Sequence, residues 1–296
     1  MKRQSNLMSQ CMAAFMLLAA YSCQSDDKPE ATASGKPIEI EVSIGPSTRI
    51  AYSGNAAQFT DGDRITLLSV AQGGIPSLSA GSATRQSSYT LSGDVWSSSP
   101  VMTWGDDVSV FDFYGVYPAL SATDDLNDMS LKANLNDNDF MLASQLGLKY
   151  SDGKVSLGFS HAMAKLVVKI VKTGNEVSNP EGLTVKVANA KTHYSVSLPD
   201  LSVTASGTTS ELAMTKQEGT MTYTALLPPQ DGVTTIVVND GTNNYKWTSA
   251  SPLTLAKSKV TTVSLSVGEG PMTIGTVSVT DWTDSPINPD YPEIEG

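Results

Sequence analysis

In Pro37-Ile38-Glu39-Ile40-Glu41-Val42-Ser43-Ile44 every second residue is a β-branched aliphatic, and the residues between are two glutamates and a serine. A period of two puts the four aliphatic side chains on one face of an extended strand and the polar ones on the other. The same signature recurs in Arg64–Val70, Val108–Val116, Leu166–Val171, Leu183–Val187, Tyr194–Leu198, Met221–Leu227, Thr234–Val238, Thr261–Val267 and Thr276–Thr280. Turn-forming clusters separate these runs, among them Asp61-Gly62-Asp63, Gly73-Gly74, Ser151-Asp152-Gly153 and Asn239-Asp240-Gly241. No long segment keeps a 3.6-residue period between helix caps, so 120–129 and 162–165 are allowed a helical turn at most. The sequence predicts an all-β chain with the short, regular strand spacing of sandwiches. A turn-rich stretch around residues 150 to 160 divides it, which gives expected domains at 37–157 and 158–296.

Before the first strand the pattern is different. Lys2 and Arg3 precede an apolar run from Cys11 to Tyr21, too short to cross a ~30 Å hydrocarbon core as a helix, so residues 1–22 read as a secretory signal. Ala20-Tyr21-Ser22-Cys23 resembles the box cut by the lipoprotein signal peptidase, although Ala20 stands where leucine is usual. That resemblance implies lipid on Cys23 and an outer-membrane anchor. Gln24-Ser25-Asp26-Asp27 resembles the acidic signal that carries such lipoproteins to the cell surface. Residues 23–36 are polar and aperiodic and read as a tether.

Charge and thiol content narrow the function. The chain has a formal net charge of −11, and loss of Lys2 and Arg3 with the signal leaves 17 basic against 30 acidic residues, a balance of −13. Such a field repels phosphate backbones, and nucleic acid is not an expected partner. Cys11 leaves with the signal and Cys23 carries lipid, so the folded part depends on buried apolar surface and paired strands rather than disulfides.

Catalytic and metal-binding patterns are poor. Gly158-Phe159-Ser160-His161-Ala162 has a passing likeness to a nucleophile elbow but lacks the second glycine, so His161 reads as a polar side chain satisfied at a strand crossing. His193 has no ligand neighbour at metal spacing and reads as a strand-face residue. The acidic run 134–139 offers oxygen ligands without the glycine or the distal glutamate of a calcium loop. Trp96, Trp104, Trp247 and Trp282 are either core or a sugar-stacking platform. No cofactor, no metal and no enzymatic activity are expected, a secreted hydrolase with two unannounced carboxylates being the remote exception.

Phe159-Ser160-His161-Ala162-Met163-Ala164-Lys165-Leu166-Val167-Val168-Lys169-Ile170, the most specific of several segments, resembles a strand motif of the fimbrillin family, the pilus subunits of Bacteroidales. Thr48-Arg49, Phe59–Ile65, Tyr114–Pro118, Asp139–Ala143, Ala225–Gln230 and Val277–Trp282 follow the family's order. The resemblance implies two transthyretin-like β-sandwich domains in tandem and a fimbrial subunit or tip adhesin at the cell surface. It also implies cleavage by an Arg-specific or trypsin-like protease between Arg49 and Ile50, release of the strand carrying Ile38, Ile40, Val42 and Ile44, and its replacement by β-strand addition from another subunit. Burying those four side chains is worth roughly 6–12 kcal/mol, comparable to a domain's whole stability of ~5–15 kcal/mol. The chain's own candidate donor is the stretch with Met272, Ile274, Val277 and Val279, whose alternation slips by one residue at Gly275-Thr276, as in a β-bulge. Pro286, Pro289 and Pro292 make the following tail a poor strand. The adhesion target would be a host glycan or protein. The alternative reading is a surface glycan-binding lipoprotein of a polysaccharide-uptake system.

Overall fold

The computed structural model describes residues 33–45, 58–133, 135, 138–268 and 271–282. Seventeen strands are found there: β1 (Ile40–Ile44), β2 (Arg64–Ala71), β3 (Arg85–Ser92), β4 (Val95–Ser99), β5 (Phe111–Tyr117), β6 (Met129–Ser130), β7 (Met141–Leu148), β8 (Val155–His161), β9 (Ala164–Thr173), β10 (Thr184–Ser197), β11 (Ser202–Ala213), β12 (Thr215–Lys216), β13 (Thr222–Leu227), β14 (Gln230–Asn239), β15 (Asn244–Leu255), β16 (Lys259–Val267) and β17 (Thr273–Asp281). No α-helix occurs among the described residues, and the stretches allowed a helical turn are turns or strand.

Three sheets result. The first runs β1-β8-β7-β5-β2-β3-β4, the second β11-β10-β14-β15 with β6 on β10, and the third β12-β13-β9-β16-β17. Ile65, Leu67, Tyr89, Phe113, Met141, Leu157 and Phe159 of the first sheet enclose one apolar core with Ile38, Ile40, Met102 and Trp104. The second and third sheets face each other across another core, which includes Leu166, Val168, Tyr223, Ile236, Trp247, Val263 and Leu265. A third cluster joins Leu68, Tyr114, Val116 and Leu142 to Tyr194, Val196 and Val203. Arg64–Ala71 is therefore buried along six consecutive residues, because β2 is covered on both faces.

The Phe159–Ile170 run threads all three cores. Phe159 lies in the first, Ala162 and Met163 in the third, and Ala164, Leu166, Val168 and Ile170 between the second and third sheets. Sheet membership changes at Ala162-Met163, whereas the expected boundary at 157/158 falls inside β8. At the crossing, His161 Nδ1 lies 2.7 Å from Asp139 Oδ1, with both side chains buried. The imidazole stacks on Trp282 at 3.7 Å between ring centroids and 8° between planes.

Other departures have local causes. The run begun at Val108 enters its strand only at Phe111, because Asp106 accepts hydrogen bonds from the amides of Val108 and Ser109 and holds them in a turn. The two runs at 183–187 and 194–198 belong to the single strand β10, with register shifts after Val187 and Lys191. Asn189 at the bend donates to Gly232 O and accepts from the amides of Thr234 and Thr235. Gly115 in β5 is fixed by close approach, since a Cβ there would lie 2.5 Å from the Phe159 ring.

The turn after β14 carries a testable acid sensitivity. Asp240 accepts from the amides of Asn243 (2.6 Å), Ser178 (3.0 Å) and Thr242 (2.9 Å), and these hold its carboxyl well below the usual carboxylate range. A depressed folded value means a stabilising contribution that is full above the unfolded value near 3.8 and is lost as pH falls through the folded one. Thermal melts at stepped pH are expected to show Asp240→Asn losing part of the wild-type decline below about pH 4.

Candidate assembly site

The segment from Ala33 to Gly45 is held on two sides. Its first half runs antiparallel to the 102–104 stretch: Gly35 N donates to Trp104 O (3.0 Å), Trp104 N to Lys36 O (2.9 Å) and Ile38 N to Met102 O (2.8 Å), with Pro37 bridged to Thr103. From Glu39 onward it turns to β8. Val155 N donates to Glu39 O, β1 then pairs parallel with β8 from Ile40 opposite Val155 to Ile44 opposite Phe159, and Gly45 N donates to Phe159 O. The predicted alternation holds, with Glu39, Glu41 and Ser43 exposed. Burial is uneven, however: Ile38 is 2% and Ile40 9% exposed, while Val42 and Ile44 are only half-buried against the same core.

Sequence reasoning missed what seats this segment. Tyr89 reaches across the core and donates from its hydroxyl to Ile38 O at 2.9 Å, and burial pushes the phenol's pKa up. A tyrosine in a Ser/Thr-rich run was the available signal. The Phe59–Ile65 motif also acquires a role here. Asp63 accepts from Thr60 N at 2.6 Å and from the Tyr117 hydroxyl at 3.2 Å, and Gly62 N donates to Leu91 O. The carboxyl's pKa is raised, chiefly by burial, against the lowering effect of these hydrogen bonds. The turn so fixed holds Phe59 edge-on to Trp96, Tyr117 and Phe159, beside Val42 and Ile44.

The candidate donor segment forms the outer strand of the third sheet. β17 pairs with β16, and the register shift opposite Val263/Leu265 inserts one extra residue at Gly275-Thr276, where the slip was predicted. Met272 precedes the strand and is buried, and Ile274 is half-buried. Val277 lies opposite Val263 and Val279 opposite Thr261, both buried. Val277 and Val279 are nevertheless 47% and 56% exposed, so this edge is left partly uncovered.

Cys23, Arg49, Ile50 and the proline-containing tail lie outside the described residues. Ser160 is the penultimate residue of β8, opposite Leu142, and as the neighbour of His161 it faces the other side of the sheet. His193 lies on β10, largely exposed, 3.6 Å from Asp128. Asn138 is tied to the Lys132 backbone and Asp139 to His161. Among the described residues no group of three His, Cys, Asp or Glu could hold a metal ion. Trp104, Trp247 and Trp282 are buried, and only Trp96 is half-exposed.

Residues 48–282 match the family described as Fimbrillin-like. The chain belongs to this family. Fimbrillin-like proteins are structural and non-enzymatic. This fimbrillin-like chain is 25% identical over 210 residues to the Bacteroides ovatus protein named "Putative fimbrium tip subunit Fim1C", covering 62% of the chain and 38% of that protein. It thus spans well under half of that relative's length. A "putative cell adhesion protein" of Bacteroides uniformis shares the fold at a TM-score of 0.61 and 19% identity, over 83% of this chain and 98% of the other. A second, from Bacteroides ovatus, does so at 0.58 and 21%, over the same shares.

Proposed function

We propose that this chain is a structural subunit or tip adhesin of a cell-surface fimbria, built from two transthyretin-like sandwich domains, exported as a lipoprotein on Cys23 and assembled by strand exchange. The observation that carries the reading is the seat of residues 33–45. An amino-terminal ribbon supplies Ile38 and Ile40 to the core, is bonded to 102–104 and then to β8, and is followed within a few residues by Arg49. Excision of that ribbon opens a slot that strand addition from a neighbour can refill. β17 fits the donor role, because half-exposed Val277 and Val279 gain more burial in such a slot than they have at home. Asymmetric donor and acceptor surfaces repeat into a filament rather than a closed pair. An Arg-specific protease acting on the folded protein is expected to yield Ile50 as the new amino terminus by Edman sequencing. An intact chain after prolonged digestion, or cuts only elsewhere, rejects strand exchange at this position.

The glycan-binding alternative is disfavoured by the tryptophans, three of which are buried. A cleft of about 800 Å³ beside Ile75, Leu78, Asp124 and Asp200 has no aromatic side chain in its lining on which a sugar ring could stack.

A further inference from the structure

The two ends of the first sheet approach each other without pairing. Where Pro37 and Ile38 meet Thr103 and Met102 they are zipped by backbone hydrogen bonds. Continued at the same register, β1 would run antiparallel to β4, but among the described residues β1 pairs only with β8 and β4 only with β3. Pro100, at the point where the zipper stops, has no N–H to donate. Between the two unpaired edges lies a cleft of about 550 Å³ lined by Val42, Ile44, Phe59, Leu91 and Trp96. Asp61 and Asp94 also line it, and Glu41 adds negative charge on the exposed face of the ribbon, where Glu39 is paired with Lys154.

We infer that this cleft is the entry point for strand exchange: it takes an extended, alternately aliphatic and basic segment of a different subunit before β1 leaves, not β17 of a second copy, which has no lysine or arginine and ends in Asp281. The inference rests on the strand-exchange reading and adds the order of events. The cleft is continuous with the seat of β1, and two unpaired backbone edges are what an added strand requires. Burial along the ribbon falls from Ile38 to Ile44, so the least buried end of β1 borders the cleft and is also the end toward Arg49. An incomer seated there can displace β1 residue by residue, and the apolar core never faces water as a whole. The carboxylates select a segment with lysine or arginine between its aliphatic residues and reject β1's own Glu-bearing pattern.

The test uses the uncut chain carrying Arg49→Gln and two fluorescein-labelled peptides, Pro-Ile-Lys-Ile-Lys-Val-Ser-Ile and the native Pro-Ile-Glu-Ile-Glu-Val-Ser-Ile. By fluorescence anisotropy the lysine peptide is expected to bind the uncut protein at least about tenfold more tightly than the native one, and Trp96→Ser to weaken it by a similar factor. Hydrogen exchange on the unsubstituted Arg49→Gln protein should show new protection at both 40–44 and 95–99, a readout that does not depend on how the Trp96 variant folds. No binding to the uncut protein, with uptake by the wild-type chain once it is cut after Arg49, overturns the entry site and leaves strand exchange standing. No uptake by either form overturns both. Binding without protection at 40–44 and 95–99 places the peptide elsewhere and also rejects the cleft.

Discussion

Cleavage after Arg49 followed by removal of the released ribbon in mild denaturant is expected to turn a monomer into a self-associating species, unless a replacement strand is supplied. Ile38 and Ile40 are buried and Val42 and Ile44 half-buried, so their loss removes about 5–9 kcal/mol of apolar burial, below the value estimated for four fully buried side chains. The backbone bonds to Met102, Trp104 and β8 are lost with them, as is the acceptor of the buried Tyr89 hydroxyl. Against a domain stability of ~5–15 kcal/mol this is enough to abolish independent folding of the first sheet. It also bares the edge of β8, which invites another strand. Light scattering on the stripped protein should show association, and refolding with a peptide spanning Pro37–Ile44 should restore a monomer. A stripped monomer that melts at the temperature of the intact chain contradicts the role given to the ribbon.

Asp139→Ala is expected to have the largest effect of any single substitution at the crossing between β8 and β9. It removes the carboxylate 2.7 Å from His161 Nδ1 at a site where both residues are buried and the ring is stacked on Trp282. Deleting one partner of a buried hydrogen-bonded pair leaves the other unsatisfied at a cost of about 1–3 kcal/mol, which lowers the melting midpoint of a chain this size by roughly 5 °C. Asp139→Asn keeps an oxygen acceptor and should cost less. Lys154→Ala serves as the control, since its ion pair with Glu39 is solvent-exposed and worth little. If Asp139→Ala melts no lower than that control, the pair is not a structural element of the crossing.

Much of the fold was legible wherever one face of a strand is dry and the other wet. Ile38–Ile44 announced itself by alternation, and Gly275-Thr276 announced its bulge by a slip in that alternation. Strands built from serine and threonine carried no such signal: β3, β4 and β11 hold few aliphatics and pair through their backbones, so the first sheet's far edge was not anticipated. The acceptor side of the site was hidden for the same reason. Tyr89 and the 102–104 stretch meet the ribbon, and Trp96 shares a cleft with it, only because the tertiary fold brings together positions more than fifty residues apart, which local pattern cannot express. The buried partner of His161 was illegible too, because Asp139 sits in a run that reads as a solvated acidic turn.

Because β8 passes into β9 through only Ala162 and Met163, both fully buried, no slack separates the seat of the ribbon from the sheet that carries β17. In a fibre under flow, tension entering at one end would travel through β8 and β9 to β16, which lies parallel to β9, and on to the outermost strand. A parallel seat such as that of β1 on β8 loads its hydrogen bonds together in shear when pulled along the strand, rather than one at a time. Such a subunit would act as a stiff link, holding most firmly along the direction in which a filament is stretched.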